Sequence, residues 1–274
     1  MAKFLVCILA FGFSACQPNL LWGSIDSYLG EVTAPDLNAD GLAYDTASGH
    51  LYYVSHSNTL TEISLTSFIA EYDFVGDDDS VGLTFLPNGN LVASDHGTGR
   101  ILEITTTGGA VTGGIDFFEP TMDAEGIVYH ASRDSLFIVG NDTEVWEYST
   151  SGTLLNSFTV PGVTDLEAIT VDLDGNLLVG DDDDTIVRAL DPLGNLLWQV
   201  NVANIAGYAG QITDIEGMTV DLINNRLFVS GDSEGISIFS ISPGPQIPEP
   251  SCLTVFLGLG GLGLAMGRRT RRMA

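Results

Sequence analysis

Between residues 40 and 242 the chain alternates short apolar runs with polar turns, and the alternation repeats. Five segments align: Asp-Gly-Leu-Ala-Tyr-Asp from Asp40, Val-Gly-Leu-Thr-Phe-Leu from Val81, Glu-Gly-Ile-Val-Tyr-His from Glu125, Glu-Ala-Ile-Thr-Val-Asp from Glu167 and Glu-Gly-Met-Thr-Val-Asp from Glu216. Their starts are 41, 44, 42 and 49 residues apart. Each opens on an apolar strand such as Leu42-Ala43-Tyr44. A turn follows, such as Pro87-Asn88-Gly89, Asp174-Gly175-Asn176 or Ile223-Asn224-Asn225. These are hairpin-turn residues. A second strand (Leu51–Val54, Leu227–Val229) and an alternating third (Leu60–Ile63, Arg100–Ile104, Ile236–Phe239) come next. Alternation of this kind suits half-buried strands. Repeats one to four add a fourth strand, as in Phe68–Tyr72.

Four antiparallel strands repeated every 40–45 residues predict the blades of an all-β propeller. The count gives five blades, with six as the alternative. The long spacing holds an insertion near 203–210. The fifth repeat runs into Pro243-Gly244-Pro245 and lacks a fourth strand. An unpaired strand edge invites aggregation. Leu20-Leu21-Trp22 echoes Leu196-Leu197-Trp198, so residues 20–32 are expected to supply that strand and close the ring. Aromatic residues such as Tyr52, Phe137, Trp146 and Phe239 are expected in the blade cores.

Both ends differ from this body, dividing the chain into 1–16, a propeller over 17–242, a linker over 243–247 and a tail over 248–272. Residues 1–16 carry Lys3, an apolar stretch from Phe4 to Phe13 and then small residues. That order is expected of a secretory signal peptide. Cys16 also leaves lipoprotein processing open. The tail runs from Pro248-Glu249-Pro250 through a Gly- and Leu-rich stretch, Cys252 to Met266, to Arg268, Arg269, Arg271 and Arg272. The stretch is shorter than the ~20 apolar residues of a comfortable span. The arginines would keep the end cytoplasmic and place the body across the membrane.

Pro-Glu-Pro, an apolar run and an arginine cluster in this order resemble the PEP-CTERM sorting signal. The resemblance implies export by a Gram-negative, exopolysaccharide-making bacterium, with a transient stay in the inner membrane. It also implies processing by an exosortase, a membrane cysteine transpeptidase, and a final place at the cell surface or in the extracellular matrix. Exopolysaccharide or matrix components would then be partners.

The chain has 36 acidic residues against 9 basic ones, a net charge of −27. All the acids but Glu249 lie within 17–247, where the only bases are Arg100, Arg133, Arg188 and Arg226. Nucleic-acid binding needs Lys and Arg, so that class is excluded, and an acidic body favours cations. The 3 cysteines, Cys7, Cys16 and Cys252, all fall outside the body. The body therefore has no disulfide, thiol nucleophile or thiolate zinc site.

The acids are patterned. Before each repeat start stand Asn38 and Asp40, Asp79, Asp123 and Glu125, Asp165 and Glu167, and Asp214 and Glu216, with Val81 breaking the [DN]-x-[DE] rule. Residues two apart in an extended chain face one side. These nine positions are therefore expected to ring the mouth of the central channel. The ends of the second strands return to that face with His56, Asp95-His96, Asn141-Asp142, Asp181–Asp184 and Asp232. Oxygen donors without thiolates favour calcium; the other reading of the ring is one that locks the blades. The aspartate runs 77–79 and 181–184 read as solvated loops, and Asp172–Asn176 as a turn. Gly108-Gly109 and Gly113-Gly114 also read as turns. His50 and His130, beside hairpins, are expected at the surface. His56 or His96 could serve as a general base at the mouth.

Asp165-Leu166-Glu167-Ala168-Ile169, Asp214-Ile215-Glu216-Gly217-Met218 and Leu227-Phe228-Val229-Ser230 resemble the SdiA-regulated and esterase-like phytase propellers, and more loosely NHL and YncE-like repeats. That resemblance implies a calcium-binding propeller, some of whose relatives hydrolyse phosphate esters or lactones. Phosphate chemistry would need Lys or Arg beside the acids, and the body has four Arg and no Lys. The expected function is therefore a calcium-associated binding protein; the alternative is a calcium-dependent hydrolase of the phytase-like or lactonase type.

Overall fold

The computed structural model describes residues 23–32, 39–55, 59–73, 80–118, 123–140, 142–210, 212–231 and 235–244. The expected signal peptide, the sorting tail, Asn38, His56, Asp79, Asn141 and Asp232 lie outside them. Among the described residues no helix is long and apolar enough to cross a membrane.

Five four-stranded antiparallel sheets form a five-bladed propeller. Blade one is β2 (Gly41–Asp45), β3 (His50–Val54), β4 (Thr59–Ile63) and β5 (Phe68–Asp73). Blade two is β6 (Ser80–Phe85), β7 (Leu91–Asp95), β8 (Arg100–Ile104) and a short β9 (Asp116–Phe118). Blade three is β10 (Ala124–His130), β11 (Ser135–Gly140), β12 (Glu144–Ser149) and β13 (Leu154–Thr159). Blade four is β14 (Leu166–Val171), β15 (Leu177–Asp181), β16 (Ile186–Leu190) and β17 (Leu196–Asn201). Blade five takes β18 (Gly217–Asp221), β19 (Arg226–Ser230) and β20 (Ile236–Ser242), and its outer strand is β1 (Ser24–Val32).

The ring is thus closed by the N-terminal strand, as the missing fourth strand of the last repeat predicts. β1 pairs with β20 from Ser24↔Ser242 to Val32↔Ile236. The Tyr28 ring packs on Phe239 and Tyr208, at centroid distances of 5.8 and 5.1 Å.

The core lies between blades. Leu83, Leu91, Ala93 and Leu102 of blade two meet Tyr52, Val54 and Leu60 of blade one, and an equivalent apolar layer fills each of the other seams. Both faces of the middle strands are therefore covered, which explains why the third strands bury residues that alternation would leave wet.

Three such residues recur at one repeat position: Glu62, Glu103 and Glu147 are all nearly inaccessible. Each accepts hydrogen bonds from its own blade's inner hairpin. His50 Nδ1 lies 2.6 Å from Glu62, the Asn88 and Asn90 amides donate to Glu103 at 2.9 and 2.6 Å, and Arg133 and Ser135 donate to Glu147. In blade five Asp221, fully buried, takes the bonds of Asn224 and Arg226. A buried carboxylate stripped of its cation is costly. Arg226→Met is therefore expected to lower unfolding stability by about 3 kcal/mol, measurable by urea denaturation.

His130 does not lie at the surface as expected. It is 3% exposed, its Nε2 is 2.9 Å from the Gly175 carbonyl of blade four, and its ring packs near Phe137. The next blade's hairpin covers it. His50 is half-buried against Glu62. Tyr52, Phe137, Trp146 and Phe239 are core residues as expected.

The repeat glycines are explained by the axis. A Cβ on Gly41 would meet the Val81 carbonyl at 2.6 Å, and one on Gly82 would collide with the Glu125 carbonyl. Gly126 faces the Glu167 carbonyl and Gly217 the Asp40 carbonyl in the same way. Each innermost strand lies flush against the next blade's innermost strand. At these four positions a side chain would collide with the neighbouring backbone, and glycine allows the approach; the fourth repeat carries Ala168 there.

Candidate metal centre

One face of the propeller carries the starts of the innermost strands and the ends of the second strands. The axial cavity beneath it is lined by Asp40, Glu167, Glu216 and the repeat glycines, and holds about 10 Å³. That is the room of roughly one water.

The inner strands do not enter this face as regular ladders. Register shifts fall between Ser80 and Gly82, Ala124 and Ile127, and Leu166 and Ala168. Glu125 and Glu167 therefore sit in bulges. A bulge re-aims side chains at the end of a strand.

The predicted ring separates into two groups and a buried member. Asp40 is 3% exposed at the wall of the axial cavity. On the side of blades two and three, His96 Nε2 lies 2.9 Å from Asp123 and 3.2 Å from Glu125. On the side of blades four and five stand two overlapping triplets: Asp165, Glu167 and Asp182, and Asp182, Asp214 and Glu216. Within each triplet the ligand oxygens lie within 4.8 Å of one another. Asp182 joins them into a group of five carboxyls.

Sequence reasoning places Asp182 on this face only as part of the run Asp181–Asp184, which also reads as a solvated loop, and does not single it out as a member of the ring. Only Asp183 of the four is exposed. Asp181 is 1% exposed and accepts from the backbone N–H groups of Thr164 and Asp183. Asp184 is bound to Arg188 at 2.7 Å. That leaves Asp182 to turn toward the axis. Asp172, by contrast, is the turn residue expected, accepting the N–H groups of Asp174 and Asn176.

Burial and mutual repulsion favour the protonated forms of these carboxyls. Burial first, then the charge of Glu125, raises Glu167 to about 8. Burial, then the charge of Glu167 and hydrogen bonds to Glu167 and Asp182, raises Glu216 further. Burial and the neighbouring Asp142 and Asp182 also raise Asp165.

A carboxyl raised on folding binds a proton that the unfolded chain releases, so its stabilisation is full at acid pH and lost as pH rises. In a chelator the melting temperature is therefore expected to fall from about pH 5 to pH 8. A bound cation replaces the protons, and calcium should remove this slope. Thermal melts across pH with and without calcium check it. Glu62, Glu103, Glu147 and Asp221 are held below the usual range because hydrogen bonds outweigh their burial; their contribution is lost only in more acid solution.

A family profile described as SdiA-regulated matches residues 119–247, the three blades that carry both acid groups of this face except His96. No curated protein matches the sequence. Among solved structures, virginiamycin B lyase from Staphylococcus aureus is similar at 17% identity over 76% of this chain and 82% of that one, with a TM-score of 0.51. The WD40 propeller domain of Doa1 is similar at 12% identity over 79% and 90%, with a TM-score of 0.50. At such identities these likenesses speak for the propeller fold alone.

Proposed function

We propose that this protein is an exported, cation-loaded binding propeller. The observation that carries the reading is the pair of overlapping triplets at the channel mouth, Asp165, Glu167 and Asp182 with Asp182, Asp214 and Glu216. Oxygen donors within 4.8 Å of one another in each triplet can hold a hard cation such as calcium, whose ligands lie at about 2.4 Å. The absence of thiols and the hard carboxylate set favour the same ion. His96, Asp123 and Glu125 offer a second, mixed nitrogen and oxygen group.

The terminal segments support the route. A signal peptide takes the chain across the inner membrane, the Cys252–Met266 run holds it there, and an exosortase processes the tail at Pro248-Glu249-Pro250. The propeller then works at the cell surface or in the extracellular matrix, with calcium as its structural cofactor.

The hydrolase reading is weaker on one physical ground. An active site needs substrate space beside its catalytic groups. Among the described residues the axial cavity beside Glu167 and Glu216 holds about 10 Å³. Asp182→Asn tests the proposal: calcium affinity is expected to drop by about tenfold or more, as for a lost charged ligand, with the fold retained. Equal affinity in the variant, measured by calorimetry, would remove the site from this face.

A further inference from the structure

Blade two departs from the repeat. Its third and fourth strands are joined by residues 105–115, where the other blades use only 64–67, 150–153 and 191–195. The longer connection folds on itself through Ile104↔Ala110 pairing and turns at Gly108 and Gly113. Its end, Gly113-Gly114-Ile115, lines an open cleft of about 540 Å³ at the seam with blade three, on the face opposite the acidic mouth. That volume lies within the range of small-molecule sites.

The lining combines two chemistries. Leu86, Pro87, Ile115 and Tyr129 offer apolar surface; Asn88 and Asp134 offer hydrogen-bonding groups, joined by the hydroxyls of the 150–151 turn, with the occupied Glu103 carboxylate behind them. The polar groups are held in place. Glu103 is 4% exposed; its Oε1 accepts from Asn88 and Asn90, and its Oε2 from the Ile115 N–H at 3.0 Å. A Cβ on Gly114 would meet the Glu103 carboxylate at 2.6 Å, so the connection and the buried acid are fitted to each other. Tyr129 donates to Asp134 at 2.8 Å, which fixes its ring.

We infer that this cleft is a binding site for a neutral saccharide of two or three rings. Such a ligand presents C–H faces to an aromatic ring and apolar side chains, and hydroxyls to planar acceptors and donors. Anionic ligands fit poorly. The lining holds two carboxylates and no cation, and the adjacent Arg133 is bound in a fork to Glu147 at 2.7 and 2.8 Å. An organic cation fits less well than a sugar, because Glu103 already takes three N–H donors and the rest of the lining is mixed donor and acceptor. The inference is independent of the cation reading, since cleft and mouth lie on opposite faces.

The test uses the full chain in a zwitterionic detergent free of sugar. A glycan array of neutral, amino and acidic oligosaccharides is followed by calorimetric titration with maltotriose, cellotriose and laminaritriose. Neutral glycans are expected to bind. Ser151→Tyr, on an exposed turn, should fill the cleft and weaken binding by about tenfold or more, with an unchanged melting curve. Asn88→Ala should weaken it as well, through a lost hydrogen bond. A blank array, binding confined to charged glycans or amines, or neutral binding indifferent to both variants would overturn the inference.

Discussion

Gly126→Val is expected to prevent the propeller from closing. The Cβ alone would lie against the Glu167 carbonyl and 3.0 Å from the Ile169 N–H, with Val139 at 3.2 Å. Two of these neighbours are backbone of the next innermost strand, so neither can turn away. The blade would have to move outward, and every blade shares the same axis. Overpacking of a core usually costs about 1–3 kcal/mol. Here the displaced atoms are main chain in a closed ring, and the cost should exceed about 4 kcal/mol, the range kept for the most damaging substitutions. The reverse change at the fourth repeat gives the control. Ala168→Gly removes a tolerated methyl and should cost about 1 kcal/mol. Circular dichroism and urea melts of the two variants read the contrast; a native, stable Gly126→Val protein would show that the axial contacts do not require glycine.

Removing β1 is expected to have an effect of similar size. The strand completes blade five with pairing along its whole length, and Ile25, Tyr28 and Val32 pack on that blade or its seam with blade one. A chain in which residues 24–32 are replaced by a Gly-Ser linker leaves residues 1–23 unaltered but exposes β20 as an edge. It also opens the one place where the two ends of the ring meet. Exposed edges template aggregation. Size-exclusion chromatography should show the altered chain as aggregate. Monomeric protein with native circular dichroism would show that the ring closes by side-chain packing alone.

Much of this fold is legible in the residues themselves. The glycine at the second position of four of the five repeats, the hairpin turn after it and the missing fourth strand of the last repeat all follow from the geometry of a closed ring, so they recur and can be counted. The site is less legible. Period-two facing places Asp165 with Glu167 and Asp214 with Glu216, and the structure keeps each pair together and links the two through Asp182. It does not carry Asp123 and Glu125 into the same group, because spacing along a strand says nothing about distance around the ring. Asp182 is hidden in a run of four aspartates, and only the bonds of Asp181 and Asp184 to Thr164 and Arg188 show which of them is left to face the axis. Glu62, Glu103 and Glu147 are a signal that could have been read: one acid at one repeat position on three successive third strands. Alternation suggested solvent there. A neighbouring blade supplied burial instead, as it did for His130.

The proposal that the mouth is a cation centre meets its most direct test in calorimetric titration of calcium into the full chain, beside the Glu167→Gln, Glu216→Gln double variant. Saturable binding is expected in the unaltered protein. Its heat should change with the ionisation enthalpy of the buffer, because burial and mutual repulsion raise both Glu167 and Glu216 and a bound ion would displace the protons they share. At calcium about a hundredfold above the dissociation constant the fold should gain about 2.7 kcal/mol. The double variant should lose both the binding and the proton release. No saturable heat, or equal binding by the double variant, would contradict the account and leave these carboxyls as a proton-sharing cluster of the channel wall.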